Sequence, residues 1–403
     1  MRIFTRSISL LLLLLVGGNI FAANAKRPWT FFVYIAADNN LNPEADLNIS
    51  QMVKASSSDN VYIVVHLNIK RAHESKKTQK LVIQNGKIIQ IGATTAEDSG
   101  DEKTFLNAMK WAVTDYPSDH LLIDVWNHGS GPLNRNILAH RGVCYDDSTG
   151  NYMTDIHYKR AFDVIVNQYR SGKKIDIIAF DACLMANIEV AYTLKNYANY
   201  LVASQQTVPG AGFNYTEVLS IFDNSHPEPL TFARWIVTAY ENQYKPTRQS
   251  YTLSAMDLSK LSPAVTAINA ISKLLNTYLS ADHSGKLARM IKNSAAPSAC
   301  PHFDEATYLD LYSFYSNLYL KMGQMGLNNS SISKLKTALK SGLMSITQTV
   351  VANVHSSEFG RTRGMSIYFA DVNEGIESSY DALYWTSANP AWINFLAQYI
   401  SVV

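Results

Sequence analysis

Two short stretches carry side chains that could do covalent chemistry together. Leu121-Leu122-Ile123-Asp124-Val125-Trp126-Asn127-His128-Gly129-Ser130-Gly131 runs from an apolar stretch directly into a histidine and a glycine-rich turn. Ile175-Asp176-Ile177-Ile178-Ala179-Phe180-Asp181-Ala182-Cys183-Leu184-Met185 ends in the same way on a cysteine, with a helical pattern after it. A cysteine between a strand and a helix lies near the helix N-terminus, where the backbone dipole favours thiolate and lowers the pKa from about 8.5. An imidazole within hydrogen-bond reach can take the thiol proton and later protonate a leaving amine. His128 and Cys183 are therefore the candidate catalytic pair for cysteine acyl transfer. Gly129 has no Cβ, so its N–H can approach a developing oxyanion beside the N–H of Cys183. A cysteine after a strand is by itself more often core packing, and a lone His-Gly more often a turn with an exposed imidazole. The weight lies in finding both, 55 residues apart, at the ends of consecutive strands.

Such groups meet only if the fold brings both strand ends to one edge, and the chain has the pattern that does so. Apolar runs rich in β-branched and aromatic residues alternate with helical patterns, as in a parallel sheet with crossover helices. Strands are expected at Trp29–Ala37, Val61–Leu67, His120–Trp126, Ile175–Phe180, Tyr200–Ser204 and Tyr251–Met256. Helices are expected at Pro43–Ala55, Thr104–Asp115, Thr154–Ser171, Leu184–Asn196 and Leu230–Tyr244. Several strands are continuously apolar, which suits a sheet covered on both faces. In such sheets ligands gather beyond the carboxyl ends of the strands. Gln79–Ile91 reads as a hairpin turning at Asn85-Gly86. Beyond about Asp257 the periodicity becomes helical, at Ser259–Leu279, Ala306–Met322 and Ser330–Val351, with one late strand at Gly364–Phe369. The expected division is a segment 1–25, an α/β domain 26–256 and a mainly helical C-terminal subdomain 257–403.

The chain has 403 residues, 47% of them hydrophobic and 17% charged, enough for a large core. Arg2 and Arg6 precede an apolar run, Ile8 to Val16, and then Ala23-Asn24-Ala25. That is the layout of a secretory signal peptide, too short to span a bilayer, and no cysteine nearby suggests a lipid anchor. A secreted or periplasmic protein without a membrane span is expected. The whole chain has 35 Lys plus Arg against 33 Asp plus Glu, and the two arginines of the leader account for the excess. A balanced charge with no basic patch argues against nucleic acid as a partner. Three widely spaced cysteines, Cys144, Cys183 and Cys300, form neither a disulfide framework nor a CxxC metal site, and an odd count leaves one thiol free.

The same residues resemble the clostripain family of cysteine peptidases, relatives of the caspases, gingipains and legumains. The similarity is carried by Ala36-Ala37-Asp38-Asn39-Asn40-Leu41, by Trp126-Asn127-His128-Gly129-Ser130-Gly131, by Asp181-Ala182-Cys183-Leu184-Met185 and by Gly364-Met365-Ser366-Ile367-Tyr368-Phe369. A histidine roughly 50 residues before the cysteine also fits caspases. The resemblance implies a caspase-like α-β-α sandwich with a mostly parallel sheet, and a dyad of His128 and Cys183 with no essential third member. It implies that Asp181 helps form the pocket for a P1 Arg or Lys, a charge-assisted contact; a helix N-cap is the plainer role for this residue. It places a second specificity element on the loop from Ser204 and Gln205 to Phe213, where this chain has Ala211 and no acid. It also implies a precursor that cuts itself between the catalytic strands, with Arg141-Gly142 as the expected bond and Lys173 and Lys174 as alternatives. Substrates would be proteins or peptides, and the enzyme a monomer.

No H-E-x-x-H or similar cluster suggests zinc. Some relatives in this family respond to calcium, and Asp146, Asp147 and Asp155 could supply oxygen ligands, but no EF-hand spacing is present and no cofactor is expected. Ser130 lacks the G-x-S-x-G spacing of a hydrolase elbow. A non-catalytic binding protein on the same scaffold, or a hydrolase or transpeptidase acting on a non-protein amide, stays open at this point.

Overall fold

The computed structural model describes residues 24–133 and 142–403. The strands, in chain order, are β1 (Arg27–Ala37), β2 (Val61–Ile69), β3 (Lys77–Gln84), β4 (Lys87–Thr95), β5 (Ser118–Trp126), β6 (Val143–Asp146), β7 (Asn151–Met153), β8 (Ile175–Asp181), β9 (Ala198–Ala203), β10 (Thr252–Asp257), β11 (Tyr308–Asp310), β12 (Val350–His355) and β13 (Ser366–Tyr368). Nine of them form one sheet in the order β12-β10-β9-β8-β5-β1-β2-β3-β4. Its five central strands, β9, β8, β5, β1 and β2, are parallel, and the strands flanking them on both sides are antiparallel.

The helices are α1 (Asn42–Lys54), α2 (Glu102–Asp115), α3 (Asp155–Val164), α4 (Ile188–Leu194), α5 (Tyr215–Ser220), α6 (Pro229–Tyr244), α7 (Leu261–Ser280), α8 (Lys286–Ala295), α9 (Leu311–Lys321), α10 (Asn329–Thr349), α11 (Ser378–Asp381), α12 (Tyr384–Ala388) and α13 (Pro390–Val402). They cover both faces of the sheet, as the alternation along β1 requires. Trp29, Phe31, Val33 and Ile35 point into a core with α1, α5 and α6, while Phe32, Tyr34 and Ala36 point into a second core with α2, α3 and the C-terminal helices. The protein is thus the expected caspase-like sandwich.

Three expected elements differ. The helix after Cys183 begins at Ile188 rather than Leu184. Leu184 takes φ 63°, and the N–H groups of Leu184 and Ala186 bond to the carbonyls of Gln206 and Ser204, so this stretch prolongs the sheet before any helix can start. The expected helix from Ala306 begins at Leu311, where Asp310 accepts from Ser313 N–H as its cap, and β11 precedes it. The third long C-terminal helix stops at Thr349 because Val350-Val351-Ala352-Asn353-Val354-His355 pairs antiparallel with β10 as an edge strand. The late strand, β13, pairs with β11 and stays outside the main sheet. The chain beyond Asp257 therefore contributes a strand to the central sheet as well as helices.

Candidate active site

Register places the reactive pair. Trp126 and Asp181 are partners in the β5–β8 ladder, so His128 and Cys183 each lie two residues past the same rung. Asn127 N–H bonds to Asp181 O at 3.3 Å, extending that pairing by one step. Gly129 then packs directly on the nucleophile. A Cβ at this position would lie well under 3.0 Å from Cys183 O and 3.1 Å from Cys183 N. Only glycine allows its amide this approach.

The Cys183 sulfur is half-buried and accepts from Val208 N–H at 3.2 Å. Burial pushes the thiol up from its ordinary pKa and the Asp181 and Asp304 carboxylates add to this, against the amide hydrogen bonds from Val208 and Gly129. The thiolate stabilisation expected at an adjoining helix N-terminus is not built in, because α4 starts four residues later than expected, at Ile188. A thiol raised in this way depends on a base to become the nucleophile. His128 is partly exposed, and its Nε2 lies 2.6 Å from Asn40 Oδ1.

Beneath the nucleophile lies a buried acidic cluster. Asp181 Oδ2 accepts from Phe213 N–H at 2.8 Å and from the Tyr215 hydroxyl at 3.0 Å. The same hydroxyl lies 2.7 Å from Asp124 Oδ2, and Asp124 Oδ1 accepts from Asp181 N–H at 3.2 Å. Burial and then the Asp124 charge push the Asp181 carboxyl up to about 8, while burial pushes Asp124 up to about 6. Two carboxyls buried side by side cannot both ionise cheaply, so each holds its proton more tightly than a free carboxyl. Asp181 Oδ1 is buried with no hydrogen-bond partner among the described residues. Asp181 caps no helix. Gly212, at φ 61°, crosses so close that a Cβ there would strike the Asp181 carboxylate.

The family model described as the clostripain family, Peptidase_C11, matches residues 33–400. The chain belongs to the clostripain family. Clostripain of Hathewaya histolytica is 23% identical over 424 residues, covering 92% of this chain and 79% of that one. A secreted C11 cysteine protease from Bacteroides thetaiotaomicron, solved with an irreversible peptide inhibitor, is 21% identical with a TM-score of 0.65, over 92% of this chain and 99% of that one. An inactive zymogen C11 protease from Parabacteroides distasonis is 18% identical with a TM-score of 0.63, over 91% and 99%. This clostripain-family protein is a cysteine endopeptidase.

Other expected residues of this clostripain-family site lie elsewhere in the network. Ser204 and Gln205 are fully buried, and their side chains are taken up by other parts of the chain. Ser204 Oγ pairs with Thr252 Oγ1 at 2.9 Å, and Gln205 bridges Asp310 Oδ2 and Gly364 N–H. Ser204 ties the end of β9 to β10, and Gln205 ties it to the C-terminal segment. Arg141 and residues 1–23 lie outside the described residues. Gly142 is tethered rather than flexible: its N–H bonds to Ser130 Oγ at 2.7 Å and its carbonyl accepts from Ser130 N–H at 3.1 Å. Cys144, Cys183 and Cys300 are all free thiols.

The acids considered for calcium do not converge. Asp146 is buried, with the Lys76 ammonium against it and Ser99 donating to it, and Lys76 also meets Asp38 at 3.1 Å. Asp155 accepts from Tyr384 N–H. Among the described residues no group of three or more His, Cys, Asp or Glu could hold a metal. Among them, too, no helix is long and apolar enough to cross a membrane.

Several site residues carried no obvious mark in the sequence. Val208 acts through its amide, so its side chain is no guide. Asp124 and Tyr215 read as a strand acid and a core aromatic. A hairpin spanning residues 302–309 touches the loop after β5, which carries His128, and the loop after β9. Its Tyr308 hydroxyl donates to Ser130 O at 2.7 Å and accepts from Leu133 N–H, while its Asp304 N–H bonds to Gln206 Oε1 at 2.9 Å.

Proposed function

We propose that this peptidase is exported, works through a His128–Cys183 dyad, cleaves after Arg or Lys, and matures by cutting itself near Arg141. His128 takes the Cys183 proton as the sulfur attacks the scissile carbonyl carbon. The oxyanion that forms is held by the N–H groups of Gly129 and Cys183. On collapse the carbon–nitrogen bond breaks, His128 gives its proton to the leaving amine, and a thioester remains. A water deprotonated by His128 then releases the acid and restores the thiol. The observation that supports this is the placement of His128 and Cys183 two residues past the same rung, with Gly129 packed against the Cys183 backbone.

Asp181 favours a basic P1 side chain, because its unpartnered Oδ1 is a buried acceptor next to the nucleophile. An arriving guanidinium or ammonium would displace the proton held there and pair with the carboxylate. Ala211 leaves Asp181 as the acid of this loop region. Export is supported by the secreted relative and by the leader-like first 25 residues, and self-cutting by the zymogen relative. The test is a peptide library incubated with wild-type protein and Cys183→Ala. Cleavage after Arg and Lys that vanishes in the variant is expected, together with two fragments of the wild type only. A wild type that stays one chain, or fragments that persist in Cys183→Ala, would remove self-processing.

A further inference from the structure

We infer that Asp304, on the hairpin spanning residues 302–309, is a specificity-determining residue that selects a basic side chain on the leaving-group side of the scissile bond, at P1′ or P2′. The inference rests on the dyad and the P1 pocket proposed above. Asp304 is exposed, and its carboxylate has no hydrogen bond or ion pair among the described residues. The hairpin under it is rigid. Its arms are joined by the His302–Leu309 bridge and by Phe303 N–H to Tyr308 O at 3.3 Å, and Tyr308 N–H closes the tip on Glu305 O at 2.9 Å. One side leans on the loop after β5, where the Tyr308 hydroxyl bonds to Ser130 and Leu133 and a Cβ on Gly131 would lie 2.8 Å from the Tyr308 ring. The other side is fastened at Asp304 itself, through its N–H to Gln206 Oε1 at 2.9 Å. Gln206 O accepts from Leu184 N–H at 3.2 Å, and Val208, two residues on, gives its N–H to the Cys183 sulfur at 3.2 Å. Asp304 is thus tied to the short stretch that holds the nucleophile, and its carboxylate is near enough for its charge to push the thiol up.

The two cores decide on which side of the nucleophile Asp304 stands. Phe213 and Tyr215, which hold Asp181, belong to the core on the α1, α5 and α6 side, whereas Phe303 and Tyr308 belong to the core on the other side of the sheet. Cys183 lies at the strand end between them. A P1 side chain drawn toward Asp181 leaves the acyl carbon on the sulfur and directs the departing amine, with the residues after it, toward the hairpin. There the unpaired carboxylate meets the first or second residue past the scissile bond, and a lysine or arginine at that position gains a charge-assisted contact. The pair sits in water, so it is worth about three- to fivefold in rate and is screened by salt.

The experiment incubates wild type, Asp304→Asn, Asp304→Lys and Cys183→Ala with a random-sequence peptide library and reads every cut by mass spectrometry, which presupposes no P1 residue. Wild type is expected to favour Lys and Arg over Ala at P1′ or P2′ by about three- to fivefold in relative kcat/KM at about 50 mM salt, and by less than about 1.5-fold at about 500 mM. Asp304→Asn keeps the size of the side chain and the backbone bond to Gln206, and should remove that preference. Asp304→Lys should turn it toward Asp and Glu. The P1 preference should be the same in all three. No basic preference past the scissile bond in wild type, or one that survives in Asp304→Asn, would overturn the role of Asp304. A preference that responds to Asp304 at P1 or at P2 instead would overturn its placement on the leaving side. Wild type without a basic P1 preference, but with a P1′ or P2′ preference that follows Asp304, would remove the Asp181 pocket and leave Asp304 in its role. Cuts that persist in Cys183→Ala would sink the dyad and this inference with it.

Discussion

Replacing Gly129 with alanine tests the core of the site. The new Cβ would fall well under 3.0 Å from Cys183 O and 3.1 Å from Cys183 N, both backbone atoms that cannot swing aside. Relief requires the Gly129 strand end to retreat on the order of 1 Å, enough to cost about 10²-fold when it misplaces a reacting group. Its amide would leave the sulfur and the oxyanion position together. Loss of one such donor costs about 10² to 10³ in kcat, roughly 2.7–4 kcal/mol. The substitution should leave KM within a few-fold, because the P1 pocket proposed at Asp181 lies on the other strand. Steady-state kinetics on a chromogenic Arg substrate would measure this, with circular dichroism to verify folding. A folded Gly129→Ala protein that keeps kcat within fivefold of wild type would show that this amide does not serve the transition state.

Three further outcomes follow from the buried charges. Asp181 is pushed up to about 8, and a basic P1 group binds its ionised form, so KM for Arg substrates should rise about tenfold for each unit below that value; Asp181→Asn should abolish both the slope and the basic preference, whereas a flat wild-type KM from pH 6 to 9 would contradict the pocket assignment. Glu189 is pushed by burial from 4.5 up to about 7. The folded state thus holds this proton more tightly than the unfolded chain, and stability present at acid pH is lost as pH rises through that window, by about 3 kcal/mol. Glu189→Gln should therefore gain on wild type at pH 8 relative to pH 5 in thermal melts, and an unchanged difference would count against it. Lys76→Met leaves buried Asp38 and Asp146 without their cation, and urea unfolding should show a loss of about 3–5 kcal/mol; a loss under 1 kcal/mol would mean the cluster is not held by that charge.

The catalytic strands were legible in the sequence because buried parallel strands are continuous apolar runs, and β5 and β8 stand out as such. The pairing of His128 with Cys183 followed from what ends those runs. Residue type also sufficed for Gly129, where absence of a side chain is itself the function, and for the family, whose motifs are spread over nearly the whole chain.

Only the tertiary structure decided how the thiol is activated and what surrounds it. The local pattern after Cys183 is helical, yet Leu184 and Ala186 give their amides to Gln206 and Ser204 at the end of β9, and the helix begins only at Ile188. Local propensity cannot anticipate a hydrogen bond to a partner twenty residues away. Ser204 and Gln205 read as pocket residues, but distant Thr252, Asp310 and Gly364 draw them inward. Asp124, Tyr215 and Asp181 become one hydrogen-bonded cluster only because β5, β8 and α5 meet. The candidate nucleophile and the candidate base could be proposed from sequence, since each is a matter of residue type at a strand end. Their protonation states depend on burial and on neighbours brought from other parts of the chain, and those exist only once the chain has folded.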